Sequence, residues 1–339
     1  MPARPPMRAV AFAYHNVGVR CLSALLAGGV DVPLVVTHRD TPGENIWFDS
    51  VATLCARAGI ECLALDKPDS DLLAARLRAL RPQYLFSFYF RHMLPVSLLG
   101  LASAGAFNMH GSLLPRYRGR VPVNWAVLHG ERETGATLHE MTAKPDAGDI
   151  VDQQAVPILP NDTAFEAFHK VTVAAEMVMC RVLPAFQSGT VPRRRQDLAQ
   201  GSYFGGRTPA DGRIDWSRDA WNLHNLVRAV APPYPGAFGF VGARRLGVLR
   251  TWWPERAGAS PAAFASARAS AGAPARGSAA APAHAPGPLP AALVLEGEAM
   301  HIRCADGARL PLLQADIDGQ PLAAGNFLQH FGEPIVIPS

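Results

Sequence analysis

The residues best suited to chemistry lie in the stretch 107–119. Asn108, His110 and Ser112 occupy alternate positions there. Because side chains alternate across an extended segment, the three polar groups are expected on one side and the apolar residues on the other. An amide can hold a carbonyl oxygen, and an imidazole can move a proton or stabilise an oxyanion. The pattern fits an acyl-transfer site, and it fits equally a polar strand end whose side chains cap the following turn.

A second polar cluster spans residues 144–149, where Pro145 and Gly148 indicate a loop between two strands. A carboxylate in this loop faces His110 if the two segments meet in space. If they do not meet, the cluster is a solvated turn. The sequence alone leaves both interpretations open.

Several familiar catalytic motifs are absent from the chain. There is no G-x-G-x-x-G or G-x-x-x-x-G-K after the first apolar run, no G-x-S-x-G and no H-E-x-x-H. A dinucleotide-binding oxidoreductase, a P-loop nucleotidase, a serine hydrolase and a zinc hydrolase are therefore disfavoured. No metal site is predicted.

The elements that must position these residues alternate between strand and helix in the N-terminal half. Apolar runs predict strands at 9–13, 32–36, 60–65, 84–89 and 106–109, and helical spacing predicts helices at 18–27, 46–58 and 71–80. Further strands are predicted at 134–141 and 150–158, before a long helix headed by the capping box Thr163-x-x-Glu166. This order predicts an α/β domain with a Rossmann-like, mostly parallel sheet.

The C-terminal half predicts a small β-rich, OB-like domain, because its short strand candidates are separated by Gly and Pro. Residues 257–292 are almost all Ala, Pro, Gly and Ser and predict a disordered insertion. The predicted catalytic domain covers 1–190, the connector 191–205 and the second domain 206–335. The basic run Arg193-Arg194-Arg195 is interpreted as a solvated part of the connector.

Composition supports a folded chain of about two domains: 339 residues, 49% hydrophobic and 18% charged. The net charge of +4 is weak evidence for nucleic acid, and none is expected as a partner. The five cysteines form no C-x-x-C pair, which favours reduced thiols and a cytoplasmic location. No apolar run approaches the 18 residues of a membrane span, so no membrane insertion is expected. The oligomeric state cannot be predicted.

The chain resembles the 10-formyltetrahydrofolate-dependent formyltransferases in Asn108-x-His110-x-Ser112-Leu113-Leu114-Pro115 and the later Asp146-Ala147-Gly148. The resemblance covers nearly the whole chain outside 257–292. It implies an enzyme that passes a formyl group from 10-formyltetrahydrofolate, as co-substrate, to an amine. It also implies that Asn108 holds the formyl oxygen, that His110 is the acid/base residue and that Asp146 orients His110.

The resemblance further implies which residues contact the folate. His92, Met93 and Leu94 would offer backbone groups to the pterin, and Arg120 would lie at the mouth of the site. The segment that closes over the folate would consist of Thr142, Ala143, Lys144, Pro145 and Asp146. Arg207 and Tyr234 are a weaker prediction for the acceptor side.

Within the family, the resemblance is closest to the members that formylate UDP-4-amino-4-deoxy-L-arabinose, a nucleotide sugar used in lipid A modification. The residues that support it include Thr41-Pro42-Gly43-Glu44 and Arg118-Gly119-Arg120-Val121-Pro122. The chain resembles a stand-alone formyltransferase without the decarboxylase domain of bifunctional members. Methionyl-tRNA formyltransferase, another nucleotide-amino-sugar formyltransferase and a non-catalytic folate or nucleotide-sugar binding protein stay open as alternatives.

Overall fold

The computed structural model of the chain describes residues 6–40, 43, 45–65, 70–254, 290–331 and 335–336. The predicted insertion at 257–292 lies outside the described residues, apart from 290–292. The chain divides into two compact units. The first contains the described residues up to Asp211 together with Ala229–Pro235, and the second contains Gly212–Arg228 and the described residues from Gly236 onward. The predicted connector at 191–205 falls within the first unit.

The first unit is built on a seven-stranded mixed sheet. The strands described in this unit are β1 (Arg8–Ala13), β2 (Asp31–Thr37), β3 (Glu61–Ala64), β4 (Tyr84–Phe88), β5 (Gly105–His110), β6 (Arg118–Gly119), β7 (Glu133–Glu140), β8 (Ile150–Pro157) and β9 (Tyr203–Phe204). The sheet order is β3-β2-β1-β4-β5-β7-β8, and β6 pairs separately with β9. The first five strands of that order are parallel, and β7 and β8 are antiparallel to their neighbours. The predicted α/β class with a mostly parallel sheet is confirmed.

Helices cover both faces of this sheet. The described helices are α1 (His15–Ala27), α2 (Val51–Ala58), α3 (Ser70–Leu80), α4 (Val96–Leu99), α5 (Pro122–Leu128) and α6 (Ala164–Ser188). The strand side chains on one face of the sheet pack against α1, α2, α5 and α6. The alternate side chains, on the other face, pack against α3 and α4. The core therefore lies in two apolar layers, one on each side of the sheet.

The sequence pattern predicts the start of helix α6 correctly but not the start of helix α2. At α6 the capping box forms as predicted, since the backbone N–H of Thr163 donates to Glu166 at 2.5 Å and that of Glu166 to Thr163 Oγ1 at 3.4 Å. The helix predicted from residue 46 begins only at Val51, behind the N-cap Ser50. The apolar spacing before it serves loop packing instead, because the Trp47 ring contacts Phe168 of α6 at 5.5 Å.

The second unit is a β-rich domain, as predicted, and its strands pair antiparallel. Its described strands are β10 (Ala237–Val241), β11 (Arg244–Thr251), β12 (Ala292–Glu296), β13 (Ala299–Arg303), β14 (Arg309–Ile317), β15 (Gln320–Leu322) and β16 (Ile335–Val336). They follow the order β10-β11-β14-β13-β12-β16, and β15 pairs with β14. Helix α7 (Ala220–Val230) precedes the sheet, and its last two residues belong to the first unit. Helix α8 (Ala324–Phe331) was not predicted.

Candidate active site

The end of β5 separates polar from apolar side chains. Phe107 and Met109 enter the apolar layer beneath α1 and α6, whereas Asn108 and His110 face the opposite side. Ser112 does not join them. Its side chain is fully buried, and its Oγ donates to the carbonyl of Arg116 at 2.6 Å. Of the two interpretations that the sequence left open, the turn-capping one therefore holds for Ser112.

His110 is buried and held between two oxygens. Its Nε2 lies 2.7 Å from the Tyr117 carbonyl, and its Nδ1 lies 3.6 Å from Asp146 Oδ1. A carbonyl only accepts, so Nε2 carries a hydrogen. Nδ1 is then the ring nitrogen at which a proton is gained or lost, beside a carboxylate. The arrangement suits a general acid or base.

His139 is a site residue that the sequence pattern did not predict. It lies opposite Asn108 across the β5–β7 ladder, and its Nε2 is 3.2 Å from Asn108 Nδ2. Its Nδ1 donates to the Glu140 carbonyl at 2.9 Å, so in the neutral ring Nε2 accepts from the Asn108 amide. This contact fixes which way the amide points. A histidine alternating with Thr137 in a predicted strand was the available signal, but only the antiparallel register makes it meaningful.

Asp146 completes the cluster, and the loop after β7 carries it. Its Oδ1 lies 3.4 Å from His139 Nε2, and its Oδ2 accepts from the Gly119 backbone N–H at 2.9 Å. Burial by itself raises the pKa of this carboxyl. The nearby His110, the contact with His139 and the Gly119 N–H together outweigh burial and hold the pKa of the Asp146 carboxyl well below its usual range. Asp146 is therefore a carboxylate at neutral pH.

A depressed pKa makes Asp146 a source of acid sensitivity. Its ionised form stabilises the fold fully above the pKa of the unfolded chain, about 3.9, and this contribution is lost as pH falls toward the folded pKa. D146N carries no such charge. We therefore expect the difference in melting temperature between wild type and D146N to shrink as pH falls from 5 to 2, in thermal scans monitored by circular dichroism. A difference that stays constant or grows would contradict the assignment.

The side chains of Arg193, Arg194 and Arg195 are exposed, in line with the solvated interpretation of the basic run, but the backbone of the segment after α6 packs on the site. Arg194 exchanges two backbone hydrogen bonds with Ile150, both 2.8 Å long, and so extends the sheet beyond β8. Ser202 Oγ accepts from the Tyr117 N–H at 2.9 Å, and the Ser202 carbonyl accepts from the Arg118 N–H at 3.0 Å. The loop that holds His110 is thus fixed by Ser202, 85 positions after Tyr117.

Gly119 is required where β6 meets β9. Its φ is +99°, and a Cβ there would lie 2.1 Å from the Phe204 carbonyl oxygen. We expect G119A to lose more unfolding free energy than G189A, measured by chemical denaturation. Gly189 has a φ of +76° and no atom within 4 Å of its added Cβ, so it isolates the conformational cost of about 1–2 kcal/mol. Equal losses in the two variants would show that the close approach is relieved without cost.

The residues predicted to contact folate lie on two segments that reach the same apolar layer. Leu94 is buried there, and Met141, directly before the predicted closing segment, packs against that layer. His92 is half-buried, with its ring 6.0 Å from that of Phe90, and Met93 is 59% exposed. The remaining predicted contacts are exposed or half-buried: Arg120, Thr142, Ala143, Lys144 and Pro145.

Arg207 and Tyr234, the weaker predictions for the acceptor side, make no described contact with the catalytic cluster. Arg207 stacks over the Trp125 ring at 4.8 Å and donates to the Asp211 carbonyl at 2.9 Å. Tyr234 contacts the Trp47 ring at 6.0 Å, and burial raises its pKa to about 12. The structure therefore gives both a packing role and does not join them to Asp146.

Among the residues that the structure describes, no group of three or more His, Cys, Asp and Glu side chains is arranged to hold a metal ion. In the same part of the chain, no helix is both long enough and apolar enough to cross a bilayer.

Comparison with known proteins matches both halves of the chain to one family. Residues 15–183 match the family model described as formyl transferase, and residues 207–332 match the one described as formyl transferase, C-terminal domain. Together they cover well over half of the chain.

The fold is shared with solved structures at low identity. The N-formyltransferase from Helicobacter canadensis, in complex with folinic acid and dTDP-3-aminofucose, is 19% identical with a TM-score of 0.66, over 94% of this chain and 100% of that one. The sugar 3-N-formyltransferase WlaRD, solved with dTDP and 5-N-formyl-THF, is 17% identical with a TM-score of 0.64, over 94% and 99%. A variant of HypX from Aquifex aeolicus is 18% identical with a TM-score of 0.58, over 96% of this chain and 48% of HypX.

Proposed function

The chain belongs to the formyl transferase family, and from this premise we propose that it transfers a formyl group from 10-formyltetrahydrofolate to the 4-amino group of UDP-4-amino-4-deoxy-L-arabinose. The proposed product would serve lipid A modification with aminoarabinose, and thereby polymyxin resistance. The proposal separates into the reaction, the folate site and the choice of acceptor, which rest on different observations.

The single observation that carries the reaction is the cluster at the end of β5, in which His139 contacts both Asn108 and Asp146 and Asp146 in turn faces His110. The Asn108 amide has two hydrogens, and His139 takes one of them. The second is free to meet a formyl oxygen, which is where negative charge develops when an amine attacks the formyl carbon. Such a donor, held in place before the reaction, stabilises an oxyanion far better than mobile water does.

The proton balance assigns a task to His110. The neutral amine forms a C–N bond to the formyl carbon and must lose a proton, while the bond from that carbon to folate nitrogen breaks and that nitrogen must gain one. His110 Nδ1 is the group placed to accept the first proton and return the second. Once protonated, Nδ1 could donate to Asp146, whose carboxylate would then balance the charge that the ring acquires in between.

The proposed folate site lies between the two segments that meet at the layer containing Leu94. His92, Met93 and Leu94 would present backbone groups to the pterin, and residues 142–146 would cover it. Arg120, which is exposed, would approach the glutamate or the acceptor at the mouth. When bound, the folate supplies the formyl group, and the residues of this chain supply orientation and proton transfer.

The acceptor is proposed from similarity. Two of the structural relatives were solved with dTDP-3-aminofucose or with dTDP, so the fold accommodates nucleotide amino sugars. The motif from Arg118 to Pro122 supports the aminoarabinose branch. HypX shares the fold as part of a chain about twice as long, so the fold by itself does not specify the acceptor.

A formyl-transfer assay tests the proposal. Purified protein and 10-formyltetrahydrofolate would be offered UDP-4-amino-4-deoxy-L-arabinose, a dTDP-linked amino sugar or methionyl-tRNA, with product detected by mass spectrometry. We expect formylation of the UDP sugar at the highest kcat/KM. A higher kcat/KM with the dTDP sugar or the tRNA would overturn the proposed acceptor but leave formyl transfer as the reaction. Folate binding without transfer to any of the three would favour a binding protein.

A further inference from the structure

The loop that carries Asp146 has a backbone shape that needs support. Asp146 has a φ of +50°, in the left-handed region that side chains other than glycine seldom adopt. Two residues later, a Cβ on Gly148 would lie 2.0 Å from the Glu140 carbonyl oxygen, so the loop closes tightly on the end of β7. Across its base, the Glu140 N–H donates to the Asp149 carbonyl at 2.9 Å.

Support comes from Gln196, fifty residues further along the chain. Its side chain is 8% exposed, and its Nε2 donates to the Asp146 carbonyl at 3.2 Å and to the Gly148 carbonyl at 2.5 Å. Both amide hydrogens are thus used on the two carbonyls that flank Ala147. The Gln196 Oε1 is buried and accepts no hydrogen bond within the described residues. The Gln196 carboxamide therefore contacts the loop through its Nε2 hydrogens and not through its oxygen.

Gln196 is itself fixed by the sheet. The paired backbone bonds between Arg194 and Ile150, two residues before it, anchor its segment alongside the strand that follows the loop. The loop is consequently held from a rigid element. A rigid anchor at this point controls where the Asp146 carboxylate lies.

We propose that Gln196 is a positioning residue, whose carboxamide holds the backbone on both sides of Ala147 so that the Asp146 carboxylate stays between His110, His139 and the Gly119 N–H. Its effect on catalysis rests on the proposed formyl transfer, but its effect on the loop does not. A displacement of about 1 Å in a reacting constellation can cost on the order of 100-fold in rate. Loss of the two donors is therefore expected to lower kcat by 10- to 100-fold.

The sharpest test is Q196E, which keeps the shape of the side chain and replaces two donors by a carboxylate that repels both carbonyls. The matched control is Q187E. Gln187 is exposed on α6 and donates to a single carbonyl, that of Gly28, at 2.8 Å. We expect the Gly119 amide, which is bonded to Asp146, to exchange with deuterium at least tenfold faster in Q196E and at the wild-type rate in Q187E. Formyl transfer should fall 10- to 100-fold in Q196E alone.

A pH series separates loss of the donors from general damage. A buried carboxyl has a raised pKa, and once protonated it can donate one hydrogen bond. We therefore expect the ratio of Q196E to wild-type activity to rise as pH falls. If Q196E fails to fold, Q196M removes the donors without adding charge and should show the same exchange at Gly119. Wild-type exchange at Gly119 in both variants would overturn the proposal, whereas an inactive wild type with protected Gly119 would overturn only the proposed function.

Discussion

Replacing His110 by alanine is expected to lower kcat for formyl transfer by about 100- to 10,000-fold, the usual contribution of a positioned acid or base. The expectation rests on two contacts that leave only Nδ1 of the ring able to exchange a proton. Nε2 is occupied by the Tyr117 carbonyl, and Nδ1 faces Asp146. Water could replace the ring as a proton carrier, but it would not be held at that position. The KM for folate should change little, because His110 is not among the proposed folate contacts.

The control for H110A is H169A. His169 is an exposed histidine on α6, in the same unit, with its ring 4.4 Å from that of Phe165. It should retain wild-type kcat, and both variants should melt within a few degrees of wild type. A kcat for H110A within tenfold of wild type would mean that proton transfer passes through another group.

A second large effect is expected for N108D, a change of one amide group to a carboxylate. The variant has no hydrogen to donate to the formyl oxygen and places a negative charge where another develops. Removal of one such donor costs about 100- to 1,000-fold in kcat elsewhere, and repulsion adds to that cost. The hydrogen bond to His139 is lost as well, so the variant tests the donor and its support together.

Asn161 offers the matched comparison, because it is half-buried in the turn before α6 and N161D makes the same chemical change away from β5. Single-turnover measurements with excess protein would separate the chemical step from product release. We expect the chemical step to slow in N108D and to be unchanged in N161D. Equal rates for N108D and wild type would show that the Asn108 amide does not meet the developing oxyanion.

The sequence predicts Asn108 and His110 well because both depend on local rules. They alternate with Phe107 and Met109 at the end of a buried strand, and alternation alone assigns the two sides. The same rule fails for Ser112, because the strand ends at His110 and the side chain of Ser112 then follows the turn. Local pattern is informative only as far as the regular element extends.

The rest of the site depends on contacts between distant segments. His139 lies beside Asn108 only because β7 pairs antiparallel with β5 in this register. No periodicity in the sequence predicts the direction of a strand. Whether Asp146 faces His110 could not be decided either, because the left-handed turn that directs it is held by Gln196. A glutamine beside a run of arginines carries no local signal for that role.

Residues 194–204, which hold the loops of the catalytic cluster, determine where this protein can be cut without loss of the site. A cut directly after α6 would leave every strand of the large sheet intact, yet it would remove the chain that holds both loops of the catalytic cluster. A chimera that exchanges the β domain should therefore be joined after Asp211, with Ala229–Pro235 retained from the first parent. During synthesis, likewise, the sheet has all its strands well before the catalytic cluster can be completed.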